Sequence, residues 1–412
     1  MSQYSKELNV ALRAVHLASL LTKQHLLTYQ STTKRVDEST KADASEVTVA
    51  DFAAQAVLIS IIHHVFPDDG FIAEESSEML RSDDALLSRV WELVLGASKL
   101  QEQSTGSWPD NDSAAALDVK LPTSQEEMLS VIDLGQQQDD HQPRAPPPSR
   151  TWILDPIDGT KTYIRGQQYA VCLSLVDSRE QKIGVLGCPN LDLSQRSEPG
   201  RVTIDESLVD LRPDGGWIVS AIKGHGTQLS RTARPASRQK AGDVLGWPAE
   251  SHAHAHAHAP KPQTQPALAF TDSSASPHTS KPLHTRVFAH FSAPAPLNIW
   301  SMQLKYVLLA LRAAGADAMV RLPPQRDYHA SVWDHAGGQL VLRESGGVLS
   351  DAQGRAFVVD GRMRTLEGNW GVVAVRGGRF AGGEGPEEVH GLVLGRVREE
   401  VGKSTGEGIG GD

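Results

Sequence analysis

The chain has 412 residues, 40 Lys plus Arg against 50 Asp plus Glu, a net charge near −10 and 39% hydrophobic residues; that length suits two or three domains around a large core. No apolar run approaches the roughly 18 residues needed to cross a bilayer, and the polar start MSQYSKEL does not read as a signal peptide, so a soluble cytoplasmic protein is expected with no membrane partner. The two cysteines, Cys172 and Cys188, exclude a disulfide scaffold and fit a reducing compartment, while the acidic balance argues against a partner that is a nucleic-acid polymer.

Residues 6–30 predict a helix, because Leu8, Ala11, Leu12, Val15 and Ala18 recur at helical spacing. Val10, Ala14, Leu17 and Leu21 widen the stripe, as expected of a helix covered by other elements. A second helix is predicted from Asp51, burying Val57, Leu58, Ile61, Ile62 and Val65, and ending at Pro67. Phe71-Ile72-Ala73 reads as a short strand ending at Glu74, followed by a helix around 83–95. Residues 96–150 are poor in pattern, and Gln136 to Pro148 reads as a solvated insertion.

Order returns at Thr151 to Leu154, a buried-strand run, with further strands at Tyr169–Val176 and Ile183–Leu186 and a turn near Asp177-Ser178. From Thr227 to about His284 the pattern fails again. The alternating His252, His254, His256 and His258 lie in this stretch; no second ligand cluster fixes a metal geometry, and a low-complexity insertion is the reading preferred. Leu304 to Ala314 predicts a helix, Ala318 to Leu322 a strand, and 335–344 a helix closed by Gly346-Gly347, with a strand from Val348. The tail from Gly402 reads as disordered.

The strongest chemical signal is Asp155-Pro156-Ile157-Asp158-Gly159-Thr160, directly after an apolar strand. Pro156 biases Asp155 towards an extended backbone, and Gly159 permits a sharp turn. In isolation such a motif is often a surface turn. Other carboxylates stand in comparable places: Glu74 and Glu75 after a strand, Asp334 expected to open a helix, and Asp51 at a helix start, where N-capping is the simpler role. Converging carboxylates repel and raise one another's pKa values unless cations neutralise them. An all-oxygen set suits Mg²⁺ rather than zinc.

These segments resemble the lithium-sensitive, Mg²⁺-dependent phosphomonoesterases that include the inositol monophosphatases. The resemblance is carried by Phe71 to Ser76, by Trp152 to Thr160, and by Trp333-Asp334-His335-Ala336-Gly337-Gly338. Within that superfamily the chain is most similar to the 3′(2′),5′-bisphosphate nucleotidases. Ala18 to Lys23, Val47 to Gln55, Phe66 to Asp69, Gln168 to Leu173, Gly187 to Leu191, Lys305-Tyr306 and Arg321 to Pro323 agree with it.

The resemblance implies an α/β (α+β layered sandwich) fold with two lobes meeting at the metal site. The expected division is 1–213 for an amino-terminal lobe with the acidic motifs, 214–401 for a carboxy-terminal lobe with the nucleotide contacts, and 402–412 for the tail. It implies Glu74, Asp155, Asp158, Asp334 and the Ile157 carbonyl as ligands of two or three Mg²⁺ ions. Asp51 and Thr160 become the catalytic pair acting on water. Gly159, Thr160, His278, Met302, Lys305, Arg321 and Asp334 become substrate contacts, Lys305 and Arg321 holding a second phosphate although by themselves they read as surface charge.

Two departures bear on recognition. Pro277 precedes His278 where the family carries Gly, and Met302 stands where it carries Ser. The expected activity is removal of the 3′-phosphate of 3′-phosphoadenosine 5′-phosphate, with 3′-phosphoadenylyl sulfate as a second substrate, by a monomer in sulfur metabolism. Inositol phosphate hydrolysis and nucleotide binding without turnover remain alternatives.

Overall fold

The computed structural model describes residues 3–31, 38–40, 46–104, 119–136, 148–198, 201–246, 267–273 and 276–405. The alternating histidines, most of the segment from Gln136 to Pro148, and the tail beyond Thr405 lie outside the described residues.

Helix α1 (Ser5–Ser31) realises the wide apolar stripe read from the sequence. A two-strand ribbon, β1 (Glu38–Thr40) and β2 (Glu46–Thr48), leads into α2 (Val49–Val65). The latter begins two residues before the predicted start, because Thr48 caps it and Asp51 sits in its first turn. After β3 (Gly70–Ala73) come α3 (Glu78–Ser82), α4 (Asp84–Ser104), α5 (Gln125–Asp133) and a 3-10 turn, Leu134–Gln136. Regular structure therefore enters a stretch expected to lack it. Met128, Leu129 and Ile132 anchor α5 in the core.

Strand β4 (Arg150–Asp158) runs through the acidic motif into the one-turn α6 (Thr160–Ile164). Strands β5 (Ala170–Asp177) and β6 (Glu180–Cys188) form a hairpin whose turn residues Ser178 and Arg179 adopt φ of 53° and 66°, in the left-handed region. Such a turn matches the twist of the two strands. A small ribbon, β7 (Arg196–Glu198) and β8 (Arg201–Val202), precedes β9 (Trp217–Ile222), β10 (Thr227–Arg231) and β11 (Gln239–Lys240). The first sheet has the order β11-β10-β9-β6-β5-β4-β3, antiparallel except between β3 and β4.

This sheet corrects the expectation that pattern fails from Thr227 to His284. Its last two strands lie there, so the first sheet continues past residue 213 to Lys240. Next come α7 (Ala241–Leu245), β12 (Phe270–Asp272), α8 (Lys281–His290), β13 (Leu297–Asn298), α9 (Met302–Ala310), β14 (Ala318–Arg321), α10 (Ala336–Glu344), β15 (Val348–Ser350), β16 (Val372–Val375) and α11 (Pro386–Thr405). The second sheet reads β13-β12-β14-β16-β15. Helix α11 carries ordered structure into the tail that was expected to be disordered from Gly402.

The layers alternate, giving the α/β layered sandwich expected. Helices α1 and α2 cover one face of the first sheet, with α4 and α5 packed beside them around a first core. Helices α9 and α10 fill the space between the sheets, in a second core with Tyr306, Leu308 and Val341. Helices α8 and α11 close the outer face of the second sheet over Phe270, Phe288 and Val393. Burying this much apolar side chain is the main favourable term, at about 25 cal/mol per Å². Among the described residues no helix is long and apolar enough to cross a membrane. Cys172 and Cys188 are buried and unbridged, on neighbouring strands.

Candidate active site

Three of the carboxylates converge: Asp155 and Asp158 from β4 of the first sheet and Asp334 from the loop before α10. Strand β4 delivers Asp155 and Asp158 on either side of a register shift against β5. Each is buried, and Asp155 Oδ1 accepts the Ile157 N–H at 3.1 Å. Asp334 arrives on the loop before α10, which begins at Ala336 with His335 at its N-cap. Asp334 thus stands outside the first helical turn rather than opening the helix. One ligand oxygen from each of Asp155, Asp158 and Asp334 lies within 4.8 Å of the other two. Glu74, on the residue after β3, lines the same cleft.

Crowding leaves its mark on their acidity. Burial, reinforced by Glu74, Asp158, Asp334 and Asp51, raises Asp155 well above the carboxylate range. Burial also pushes Asp334 up to about 7, against the opposing pull of Arg321. Asp158 is raised by burial and held back by the Ser301 hydroxyl and the Gln303 and Met302 N–H groups. Those donors belong to the start of α9: the Gln303 N–H reaches Asp158 at 2.6 Å, the Met302 N–H at 3.3 Å, and Ser301 through its hydroxyl. Asp158 thereby answers the exposed donors of a helix N-terminus while facing the cleft. Oxygen donors held together against their own repulsion fit a hard divalent cation.

Beside them, the Thr160 hydroxyl lies 3.2 Å from the Ile157 carbonyl and 3.4 Å from Asp51 Oδ1. The other Asp51 oxygen accepts the Thr48 N–H at 2.8 Å and its hydroxyl at 2.6 Å. The capping role and the position next to Thr160 therefore coexist. Gly159 has φ of 97°, and a Cβ there would come within 2.9 Å of Thr162 Oγ1 and 3.2 Å of Ser301 Cβ. Both the backbone conformation and the close approach require glycine.

The cleft has a volume of about 640 Å³ and continues from the carboxylates to a cationic and aromatic wall. Lys305 is 5% exposed, bonds the Ser273 hydroxyl, and is lowered to about 8 by burial and Arg321. Arg321 lies 3.8 Å from Asp334 Oδ2 and donates to the Tyr328 hydroxyl at 3.2 Å. His278 stacks on Tyr328 with ring centroids 4.5 Å apart; burial, then Arg321 and Lys161, lower its pKa. Met302 is buried at the same wall.

Every residue that the resemblance assigns to metal, catalysis or substrate is therefore in this cleft or, for Asp51, hydrogen-bonded to it, whereas Glu75 does not line it. Several cleft residues carried no sequence signal. Tyr328 comes from an irregular polar loop, and Trp300, with Lys161 5.0 Å above its ring, precedes the helix that was recognised. Gln55 and Gln136 were also missed: they hold the backbone on either side of Glu74 without touching the cleft.

The profile of the inositol monophosphatase family matches residues 116–394. A 3′(2′),5′-bisphosphate nucleotidase of Emericella nidulans is 35% identical over 374 residues, covering 90% of this chain and 94% of its own. The 3′(2′),5′-bisphosphate nucleotidase 2 of Candida albicans is 34% identical, covering 92% and 95%. Among solved structures, an IMPase of Thermotoga maritima superposes with a TM-score of 0.52 at 15% identity, over 96% of this chain and 98% of that one.

Proposed function

The chain belongs to the inositol monophosphatase family, and from that premise we propose that its cleft is the active site of a Mg²⁺-dependent 3′(2′),5′-bisphosphate nucleotidase. The enzyme removes the 3′-phosphate of 3′-phosphoadenosine 5′-phosphate, releasing AMP and phosphate, and takes 3′-phosphoadenylyl sulfate as a second substrate. The observation that carries this reading is the continuity of one cleft from the carboxylate cluster to Lys305, Arg321 and His278. A bisphosphate nucleotide needs both ends: one phosphate at the reacting centre, a second one and a base held beyond it. The nucleotidases of Emericella nidulans and Candida albicans support the same substrate.

Glu74, Asp155, Asp158, Asp334 and the Ile157 carbonyl are the groups that would hold two or three Mg²⁺ ions. Bound there, the metal would polarise a phosphoryl oxygen and acidify a water. The chain's own residues do the rest. Thr160 accepts a hydrogen bond from the attacking water while its proton points to Asp51, so the water's proton passes through the Thr160 hydroxyl to that carboxylate. The water oxygen attacks phosphorus as the bond to the 3′ oxygen breaks, and that oxygen takes a proton from solvent to leave as the 3′-hydroxyl of AMP. Lys305 and Arg321 hold the other phosphate by charge-assisted hydrogen bonds. His278 on Tyr328 offers the base a flat aromatic face.

Phosphate release from 3′-phosphoadenosine 5′-phosphate, inositol 1-phosphate and inositol 1,4-bisphosphate, with and without Mg²⁺, tests the reading. Preferential Mg²⁺-dependent cleavage of the nucleotide is expected. Preference for an inositol phosphate would move the substrate, and no turnover of any by folded protein would leave only nucleotide binding. Asp155→Asn should retain the fold and lose at least about 100-fold in kcat, the scale of removing an electrostatic contact to the transition state. Full activity in that variant would sink the proposed metal site.

A further inference from the structure

Glu74, directly after β3, and Asp334, on the loop before α10, line the same cleft from segments far apart in the chain. Repelling groups on two separate loops move apart unless the backbones behind them are tied. On the Glu74 side, Gln55 brackets the following residue, donating to the Glu75 carbonyl at 2.6 Å and accepting its N–H at 2.9 Å. Gln136 donates to the carbonyls of Ala73 at 3.1 Å and Glu75 at 2.7 Å. All these ties lie within the first sheet and its helices.

One side chain reaches across from the other side. Arg364 donates through Nη2 to the Ala73 carbonyl at 2.7 Å and through Nη1 to the Gly135 carbonyl at 2.8 Å. Its guanidinium lies 4.8 Å from the centre of the Trp333 ring, on the residue before Asp334. Its own carbonyl accepts the Val332 N–H at 2.9 Å, and the Leu366 N–H donates to the Ala330 carbonyl at 2.8 Å, so its backbone pairs through the isolated antiparallel bridge Ser331–Thr365 with the segment leading to Asp334. The planar fork of arginine matches two carbonyls while its face packs on an indole, which lysine cannot imitate.

We propose that Arg364 is a positioning residue, a strut that ties the Glu74 strand end to the Asp334 loop and so sets the spacing of the metal-binding carboxylates. It rests on the metal-site reading given above. Because the strut acts on separation rather than on chemistry, its loss weakens metal binding in the absence of any substrate.

The test is calorimetric titration of Mg²⁺ alone into the full chain and into Arg364→Met, with urea unfolding in chelator alongside. Arg364→Met keeps an apolar stem against Trp333 and removes both hydrogen bonds; Mg²⁺ affinity should fall at least about tenfold, the range for losing an outer support of a metal ligand. Arg364→Lys, which keeps the charge and one donor, should lose less and serves where the Met variant does not fold. Arg376→Met is the control: it breaks the buried pair with Asp317, 2.7 Å long, between the residue before β14 and the residue after β16 in the second sheet. It should lower stability while Mg²⁺ affinity stays within about twofold, as for uncoupled sites. Unchanged Mg²⁺ affinity in a folded Arg364 variant, or an equal loss in Arg376→Met, would overturn the strut. Failure of the unaltered chain to bind Mg²⁺ would overturn the metal site itself, and the strut with it.

Discussion

Asp51 commits one oxygen to its own helix and turns the other towards Thr160, so in the proposed mechanism a single carboxylate would serve both stability and chemistry. The two roles separate by substitution. Thr48→Ala removes the hydroxyl that accepts the Ala50 N–H at 3.2 Å and donates to Asp51. It should cost about 1 kcal/mol in urea unfolding, as for other N-caps, and leave kcat within a few-fold. Asp51→Asn retains one oxygen that can still accept from Thr48, so its stability loss should be of similar size. Its kcat should fall by about 100-fold or more, because the amide cannot take a proton. If both variants lost activity in proportion to stability, Asp51 would be a cap and nothing else. Asp51 was legible in the sequence as a residue type at a helix start and, through the resemblance, as the partner of Thr160; that one carboxylate faces both Thr48 and Thr160 was not, because that depends on a residue far away in the chain.

Among elements, the close crossing of α9 and α10 fixes where Asp158 and Asp334 meet. A Cβ at Gly338 would lie 2.6 Å from Gln303 Oε1, 2.6 Å from Tyr306 Cδ2 and 2.8 Å from Tyr306 Cβ. The Gly338 N–H donates to that same Gln303 oxygen at 2.6 Å, and Gln303 Nε2 donates to the Trp333 carbonyl at 2.6 Å. Gly338→Ala therefore separates the helices and carries Trp333 and Asp334 away from Asp158. A stability loss of about 1–3 kcal/mol by denaturant unfolding is expected, the usual cost of overpacking. A substitution without measurable effect would mean that the helices can slide apart freely. The helices themselves were readable from sequence because their apolar residues repeat at a steady interval. Strand β10 was not: in Thr227-Gln228-Leu229-Ser230-Arg231 only Leu229 is a large apolar residue, and two-residue β11 leaves no periodicity at all. Helix α5 was missed for a related reason, since nine residues between patternless segments give a period too little length to emerge. Arg364, Tyr328 and Gln136 were invisible because each acts through a partner distant in sequence, and no local spacing marks them.

At the scale of the whole molecule, the fold carries an electrostatic penalty at the junction where β4 and the loop before α10 bring Asp155, Asp158 and Asp334 together. A carboxyl whose folded pKa is raised binds its proton more tightly in the native state than in the unfolded chain. Stability contributed by that proton is complete below the unfolded value and is lost as pH rises through the folded one. For Asp334 the window runs from the ordinary value of 3.8 up to about 7, with burial as the leading cause. Other carboxylates shift the opposite way: Arg212 holds Asp210 down at about 2 despite partial burial. The total pH profile therefore mixes signs, and a difference between two proteins isolates the junction. In chelator, Asp334→Asn should become progressively more stable than the unaltered chain between about pH 4 and pH 7, by an amount on the order of a few kcal/mol, and the difference should level off above that. Saturating Mg²⁺ should reverse the ranking near neutral pH, because a cation that binds only the folded, ionised cluster stabilises the unaltered chain and has lost a ligand in the variant. Urea unfolding of both proteins across that range, with and without Mg²⁺, decides the matter: a stability difference independent of pH in chelator would mean that Asp334 is not held under repulsion, and that the carboxylate junction carries no electrostatic load for a metal to relieve.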